Sequence, residues 1–250
     1  MKIFITFFIL FIMISFYSTP EYKKSFHILD GYELIDAMHD KYKGKWFEKL
    51  YIKQKVTFYK NGEKERDEVW TEYIELPGKV RSNIGNAEQG NCEIVRNDTQ
   101  FVFRNNKLVF KRRAVHTILL FGFDIYNQNT ERTFEQLKES NFNLEKLYET
   151  KWQDRQVYVA GTTEGDTVTN QFWIEKEHLY LVRLIQNTQS SKLMEVEFND
   201  VKKSGKGWIA TELVFKIDGE LAFIEDYLDY GIPERIDREN FNVEDFKTNL

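Results

Sequence analysis

Strict alternation of apolar and polar residues recurs along most of the chain and limits the folds open to it. Apolar side chains at residues 50–58 fall mainly on one side of a strand and polar ones on the other, and residues 194–198 and 209–217 repeat the pattern. Strands with one apolar and one polar face form a sheet that is covered on one side only. About ten such strands with few helices must curl. The predicted fold is therefore mainly β, a strongly curved antiparallel sheet or open half-barrel, with short helices covering its concave face.

Turn and cap residues place the other elements. Four dipeptides between alternating segments predict tight hairpins. They are Asn61-Gly62, Pro77-Gly78, Asn105-Asn106 and Asp218-Gly219. Asp30 can cap a helix together with Glu33, three residues later, and this helix ends before Gly44. Residues 114–140 lack alternation and predict a helix, a loop and a second helix.

The N-terminal segment is typical of a secretory signal peptide. Met1-Lys2 precedes an apolar run at residues 3–16, and the predicted cleavage lies near Ser18 or Thr19. The run is shorter than the roughly 20 apolar residues that a spanning helix needs, although an uncleaved N-terminal anchor remains the alternative. Residues 20–250 contain no Ser/Gly-rich linker, so we expect one domain there, after a leader at residues 1–19.

Composition excludes several classes of protein. Cys92 is the single cysteine, which excludes an internal disulfide and a cysteine-based metal cluster. A net charge of -5 and a pI near 5.6 give no general basic field for nucleic acid. The one basic cluster contains Lys107, Lys111, Arg112 and Arg113, and is read as a solvated strand edge or, secondarily, a contact for anionic headgroups.

No pattern in the sequence indicates catalysis, a metal or a cofactor. The four histidines (His27, His39, His116 and His178) are scattered and lack metal-ligand spacing, and the Gly-x-Ser-x-Gly motif of hydrolases is missing. The densest acidic group near a strand, Glu225-Asp226 with Asp229, is interpreted as solvent-facing. An enzyme acting on envelope lipid would need polar groups clustered in the concavity. The sequence indicates none, and carboxyl groups that converge there in a structure would revive this alternative.

Two segments resemble a known family. Residues 152–183 contain an Asp-Arg-Gln-Val-Tyr strand followed by a Gln-Phe-Trp-Ile-Glu strand, and residues 77–81 read Pro-Gly-Lys-Val-Arg. Both are similar to segments of the periplasmic lipoprotein carriers of the LolA/LolB type, which sort lipoproteins to the outer membrane. The chain differs from them at Leu76, where the best-known carriers have an arginine that helps to hold a lid closed, so Arg81 is a candidate for that gating role.

The resemblance implies a half-barrel whose short helices act as a lid over a cavity for acyl chains. The lid residues would be Ile118, Leu119, Leu120, Phe121 and Phe123. Apolar residues of the alternating strands are the candidates for the cavity lining. They are Phe58, Trp70, Ile74, Phe103, Phe110, Trp173, Met194 and Phe215.

The predicted function is that of a periplasmic carrier, and it has an alternative. The carrier would take the acyl chains of lipoproteins or other lipids from an inner-membrane donor to an outer-membrane acceptor. A lipid-sensing or protein-binding scaffold of the cell envelope with the same fold would instead retain its ligand and bind a partner domain.

Overall fold

A computed structural model of the protein describes residues 27–244, so the predicted leader lies outside the described residues. The strands are β1 (Lys49–Lys60), β2 (Glu63–Glu75), β3 (Lys79–Ile84), β4 (Cys92–Arg96), β5 (Thr99–Arg104), β6 (Lys107–Arg113), β7 (Asn143–Trp152), β8 (Arg155–Gly161), β9 (Gln171–Glu175), β10 (Leu181–Asn187), β11 (Leu193–Asn199), β12 (Lys202–Ser204), β13 (Gly207–Ile209), β14 (Glu212–Ile217) and β15 (Glu220–Gly231). The α-helices are α1 (Gly31–Tyr42), α2 (Thr117–Gly122) and α3 (Thr130–Glu139), and short 3-10 helices form at Ala87–Gln89, Asp124–Tyr126 and Arg238–Phe241.

Thirteen of these strands form one antiparallel sheet. Its order is β6-β5-β4-β3-β2-β1-β15-β14-β11-β10-β9-β8-β7, a 13-stranded sheet, and β12 and β13 form a separate hairpin. Within residues 27–244, β6 and β7 are the two edges, so the sheet is open. The fold is the predicted one, an open curved sheet with short helices on one face. The strands outnumber the ten expected, and the single strand predicted at residues 209–217 is divided between β13 and β14.

The predicted caps and turns are confirmed. The Asp30 side chain accepts a hydrogen bond from the Glu33 amide at 2.9 Å, and α1 ends at Tyr42. Asn61 and Gly62 both have positive φ angles, of 53° and 80°, as the tight hairpin between β1 and β2 requires. Asn105 and Asn106 do the same between β5 and β6, with φ angles of 50° and 62°.

Both faces of the sheet carry apolar side chains. The inner face, together with α1, α2 and α3, forms the main core, in which α1 contributes Leu34, Ile35 and Met38. On the outer face, smaller clusters form around Cys92 and Phe101 and around Val157 and Trp173. The free thiol at Cys92 is buried, and burial raises its pKa to about 11. None of the helices in the described part of the chain is long and apolar enough to cross a membrane.

Candidate ligand-binding cavity

A cavity of about 210 Å³ lies between α2 and the inner face of the sheet. Strands β1 to β4 contribute one part of its wall, and β10, β11, β14 and β15 contribute another. Trp208 and Ile209 of the β12–β13 hairpin, together with Trp46, line a third part. Gly207 permits this arrangement, since a Cβ atom there would lie 2.9 Å from the Trp46 ring.

Most of the lining is apolar, and much of it is aromatic. Its aromatic members other than histidine are Trp46, Trp70, Phe123, Tyr180, Phe198, Trp208, Phe215, Phe223 and Tyr227. Rings of this kind present large apolar surfaces without directional bonds, so they suit a flexible hydrocarbon ligand.

Three of the predicted lining residues, Trp70, Ile74 and Phe215, line this cavity. Phe58 lies beside it on β1, where its ring centroid is 6.1 Å from that of Trp70 and 5.7 Å from that of Phe223. Met194 is half-buried and lines a groove that adjoins the cavity.

The other three predicted lining residues lie elsewhere, which corrects their assignment. Phe103 and Trp173 belong to the apolar clusters of the outer face. Phe110 is 45% exposed on the edge strand β6. The physical reason is that several strands bury apolar side chains on both faces, so alternation groups residues by face without showing which face turns inward.

The predicted lid is α2 with Phe123, and it divides into two sides. Ile118, Leu119 and Phe123 line the cavity. Leu120 and Phe121 are buried in the main core, where the Phe121 ring centroid is 4.3 Å from that of Phe172. The helix therefore forms one wall of the cavity while its other side anchors it to the sheet.

Arg81 lies away from this lid. Val80 and Ser82 line the cavity, and Arg81 between them points to the outer face, 1% exposed. Its Nε donates a hydrogen bond to Asn83 Oδ1 at 2.8 Å, and its Nη1 donates one to the Asn240 carbonyl at 3.5 Å. Arg81, the residue predicted for gating, thus connects the outer face of the sheet to the C-terminal segment instead of contacting α2.

Three carboxyl groups line the otherwise apolar cavity: Glu72 from β2, Glu93 from β4 and Glu225 from β15. Burial raises the pKa of Glu72 to about 7. A hydrogen bond of 2.6 Å from Ser82 Oγ opposes this rise, and the charge of Glu93 adds to it. Burial also raises the pKa of Glu225 well above its usual range, and the charge of Glu72 adds to that rise. Each of these two carboxyl groups therefore disfavours ionisation of the other.

His116 stands at the N-terminus of α2 and also lines the cavity. Its Nδ1 accepts a hydrogen bond from the Leu119 amide at 3.1 Å, which caps the helix. Burial lowers the pKa of His116, and the charge of Glu93 opposes the change. The imidazole is therefore neutral at pH 7, with its proton on Nε2.

A larger, more polar groove of about 1210 Å³ adjoins the cavity. Glu93, His116 and Ile118 line both spaces, so the N-terminal end of α2 separates them. Arg112 of β6 spans the groove and donates a hydrogen bond of 2.5 Å to Gln189 Oε1 in the turn between β10 and β11. This groove therefore lies directly beside the cavity, across the N-terminal end of α2.

A second group of polar side chains lies at the turn after β9. Glu175, Glu177 and His178 place possible metal-ligand atoms within 4.8 Å of one another. The Glu175 carboxylate already accepts hydrogen bonds of 2.7 Å from the backbone N–H groups of both other residues. These bonds explain the cluster as a turn cap.

Glu72, Glu93, Glu225 and His116 were not predicted as site residues. In particular, Glu225 is 9% exposed and faces the cavity, so its interpretation as a solvent-facing acid is wrong. A signal was present in the sequence, because both Glu72 and Glu225 lie two residues from aromatic residues on the same face of a strand. A carboxyl group on an apolar face marks a position that packing alone does not explain.

Comparison with known proteins identifies the fold. No protein-family model and no curated protein matches the chain. Among solved structures, a DUF1329 family protein from Desulfovibrio piger matches with a TM-score of 0.56 and 13% identity, over 85% of this chain and 96% of that one. A domain described as outer membrane lipoprotein-sorting, from Vibrio parahaemolyticus, has the same TM-score and coverage at 14% identity. A LolA superfamily protein from Nitrosomonas europaea matches with a TM-score of 0.51 and 12% identity, over 81% and 95%.

These likenesses define the class: the chain has a LolA-like fold. The predicted resemblance is thus confirmed at the level of the fold.

Proposed function

We propose that the protein is a carrier of the cell envelope that holds the acyl chains of lipoproteins or other lipids in its cavity and passes them to the outer membrane. The observation that carries this proposal is the apolar cavity between α2 and the inner face of the sheet. It is supported by the LolA-like fold, since one of the similar structures is described as a lipoprotein-sorting domain.

The cavity size bears on how much lipid it can hold. At 210 Å³ it is smaller than the roughly 300–1,000 Å³ of typical ligand pockets, so it accommodates part of one chain in this conformation. Each buried methylene group contributes about 0.8 kcal/mol, so even a partial chain stabilises the complex. A longer ligand requires movement at Ile118 and Phe123, the half-buried residues on the cavity side of α2.

The place of such a carrier follows from the predicted leader. We place the protein in the periplasm, between an inner-membrane donor and an outer-membrane acceptor. The carrier needs no chemistry on its ligand, so catalysis is not part of this proposal.

Gly122 offers a direct test of the cavity. It lines the cavity, and a Cβ atom built there meets nothing within 4 Å, so a leucine can extend into open space. Gly231 is the matched control, because a Cβ atom there is equally free and Gly231 is not part of the lining. Gly122→Leu should remove co-purifying lipid while Gly231→Leu retains it.

The measurement is mass spectrometry of organic extracts from the purified protein, followed by transfer of bound lipid to vesicles. A carrier yields lipid or lipopeptide and releases it to the vesicles. A wild-type protein that takes up neither under any loading condition would contradict the proposal.

One surface favours the alternative, a protein-binding scaffold. The edge strand β6 exposes Leu108, Val109 and Phe110, at 48%, 58% and 45%, and within the described residues no strand pairs with its outer side. Such an edge fits a partner that adds a strand to the sheet. In the transfer experiment, a scaffold would keep its lipid in the presence of vesicles and bind a partner domain instead.

A further inference from the structure

The cavity lining contains three acidic side chains and no strongly basic one among the described residues. Glu72, Glu93 and Glu225 line it, whereas none of the described residues in the lining is Lys or Arg. Glu93 already accepts a hydrogen bond of 2.6 Å from Gln100 Nε2. Glu72 accepts one from Ser82, and within residues 27–244 no Lys or Arg forms an ion pair with Glu72 or Glu225. The described part of the chain therefore supplies no cation to these two carboxyl groups.

Gln54 gives an independent sign of a missing ligand. Its side chain is fully buried, and neither its Oε1 nor its Nε2 has a hydrogen-bond partner among the described residues. Leaving a buried amide unpaired costs on the order of 1–3 kcal/mol, so native proteins rarely do so without a reason.

The position of Gln54 connects it to the two carboxyl groups. It lies on the buried face of β1, two residues after Ile52, which lines the cavity. On the neighbouring strands it pairs with Trp70 of β2 and Tyr227 of β15, both of which line the cavity as well. Glu72 lies two residues from Trp70 on β2, and Glu225 lies two residues from Tyr227 on β15. Three adjacent strands therefore direct polar groups to one region.

Aromatic rings surround this region. Trp70 and Tyr227 flank it, and Phe223 lines the cavity beside Phe58. A cation is attracted to the faces of such rings, by about 0.5–2 kcal/mol, and gains further from an adjacent carboxylate. A bound ammonium favours the ionised form of Glu72 and Glu225, whose pKa values burial raises in the empty protein. An anionic group opposes their ionisation and meets no Lys or Arg in the described lining.

We propose that the cavity selects an amphiphile whose polar end carries a positively charged amine, which lies between Glu72 and Glu225 while the hydrocarbon packs against α2 and the aromatic lining. This inference rests on the proposed function, since it specifies the ligand of the same cavity. Gln54 pairs with Trp70 and Tyr227 in the sheet, next to this region, and does not itself line the cavity in this conformation. Phosphate-bearing and carboxylate-bearing lipids without an amine are the classes that the cavity disfavours.

The test compares three probes of equal chain length. Dodecyltrimethylammonium, 1-dodecanol and dodecanoate are titrated separately into the purified full-length protein, below their micelle concentrations, and binding is followed by tryptophan fluorescence. Trp46, Trp70 and Trp208 line the cavity and report on its occupation. We expect the cation to bind about tenfold more tightly than the alcohol, and dodecanoate to bind more weakly than either.

The variants locate the preference. In the double variant Glu72→Gln/Glu225→Gln, the ratio of the affinities for the cation and the alcohol should fall to the smaller preference that the aromatic rings alone supply. Glu63→Gln, the same change at an exposed position of β2, should keep the wild-type ratio.

The outcomes separate this inference from the proposed function. Equal binding of all three probes by the wild type overturns the amine preference and leaves the carrier intact. A preference that is undiminished in the double variant does the same. If no probe binds, both proposals fail. The wild-type comparison decides even if the double variant does not fold.

Discussion

Replacing Glu72 by Gln tests the electrostatics of the cavity through protein stability. The folded protein raises the pKa of Glu72 from 4.5 to about 7, mainly by burial. Between these two values the folded state holds a proton that the unfolded state has released. The free energy of unfolding therefore falls as the pH rises through this window. The contribution of protonated Glu72 to stability is fully present only below pH 4.5.

The magnitude follows from the difference between the two pKa values. Each pKa unit corresponds to about 1.4 kcal/mol, so the whole difference corresponds to about 3 kcal/mol. The carboxylate is only half-buried, and its partial solvation reduces this figure, so we expect about 1–3 kcal/mol. A neutral Gln at position 72 cannot ionise and keeps an oxygen that can accept the hydrogen bond from Ser82.

The assay is urea unfolding, followed by fluorescence at several pH values between 4.5 and 8. The free energy of unfolding of Glu72→Gln, relative to wild type, should increase by about 1–3 kcal/mol across this range. Burial also raises the pKa of Asp124 to about 7, so the variant retains some pH dependence. Glu63→Gln changes an exposed position on the same strand, so its free energy of unfolding should vary with pH as that of the wild type does. If Glu72→Gln does the same, the buried carboxyl has no effect on stability and the reasoning is refuted.

Four further predictions concern stability and ligand release. Phe121→Ala removes a fully buried ring and should lower the free energy of unfolding by about 3–5 kcal/mol, measured in urea. Asp30→Ala removes the cap of α1 and should cost about 1 kcal/mol in the same assay. Thr117→Val breaks the 2.7 Å hydrogen bond to Gln186 that ties α2 to β10, and should accelerate release of a bound probe in stopped-flow fluorescence. Gln54→Leu removes two unpaired buried atoms and should raise the melting temperature of the empty protein, whereas an unchanged or lower value would indicate that water satisfies the amide.

The sequence was sufficient for local structure because local structure depends on local chemistry. Asn61-Gly62 tolerates the positive φ angles of a tight hairpin, and Asp30 supplies the acceptor that a helix N-terminus needs. The alternation on β1 and β2 also showed which residues share a face. These signals were sufficient for an open curved sheet with a helical cover.

The sidedness of the inner strands was not predictable in the same way. Phe172 and Trp173 are neighbours on β9, both are buried, and they point to opposite faces. Where both faces bury apolar side chains, the pattern gives no preference between them, and only the path of the whole chain decides which one meets the helices. Trp173 was therefore assigned to the cavity, although its neighbour Phe172 is the one in the main core.

Gln54, Glu72 and Glu225 show why the cavity is more than a gap in the packing. All three are polar residues on the inner face of adjacent strands, where apolar side chains would fill space and stabilise the fold without cost. Apolar walls alone would hold any hydrocarbon, so these groups add nothing to affinity for the chain itself. They can only discriminate among polar ends. Because no Lys or Arg within residues 27–244 pairs with Glu72 or Glu225, a positively charged end is the one that these groups favour. The stability that the empty protein loses through them is thus the physical basis of its selectivity.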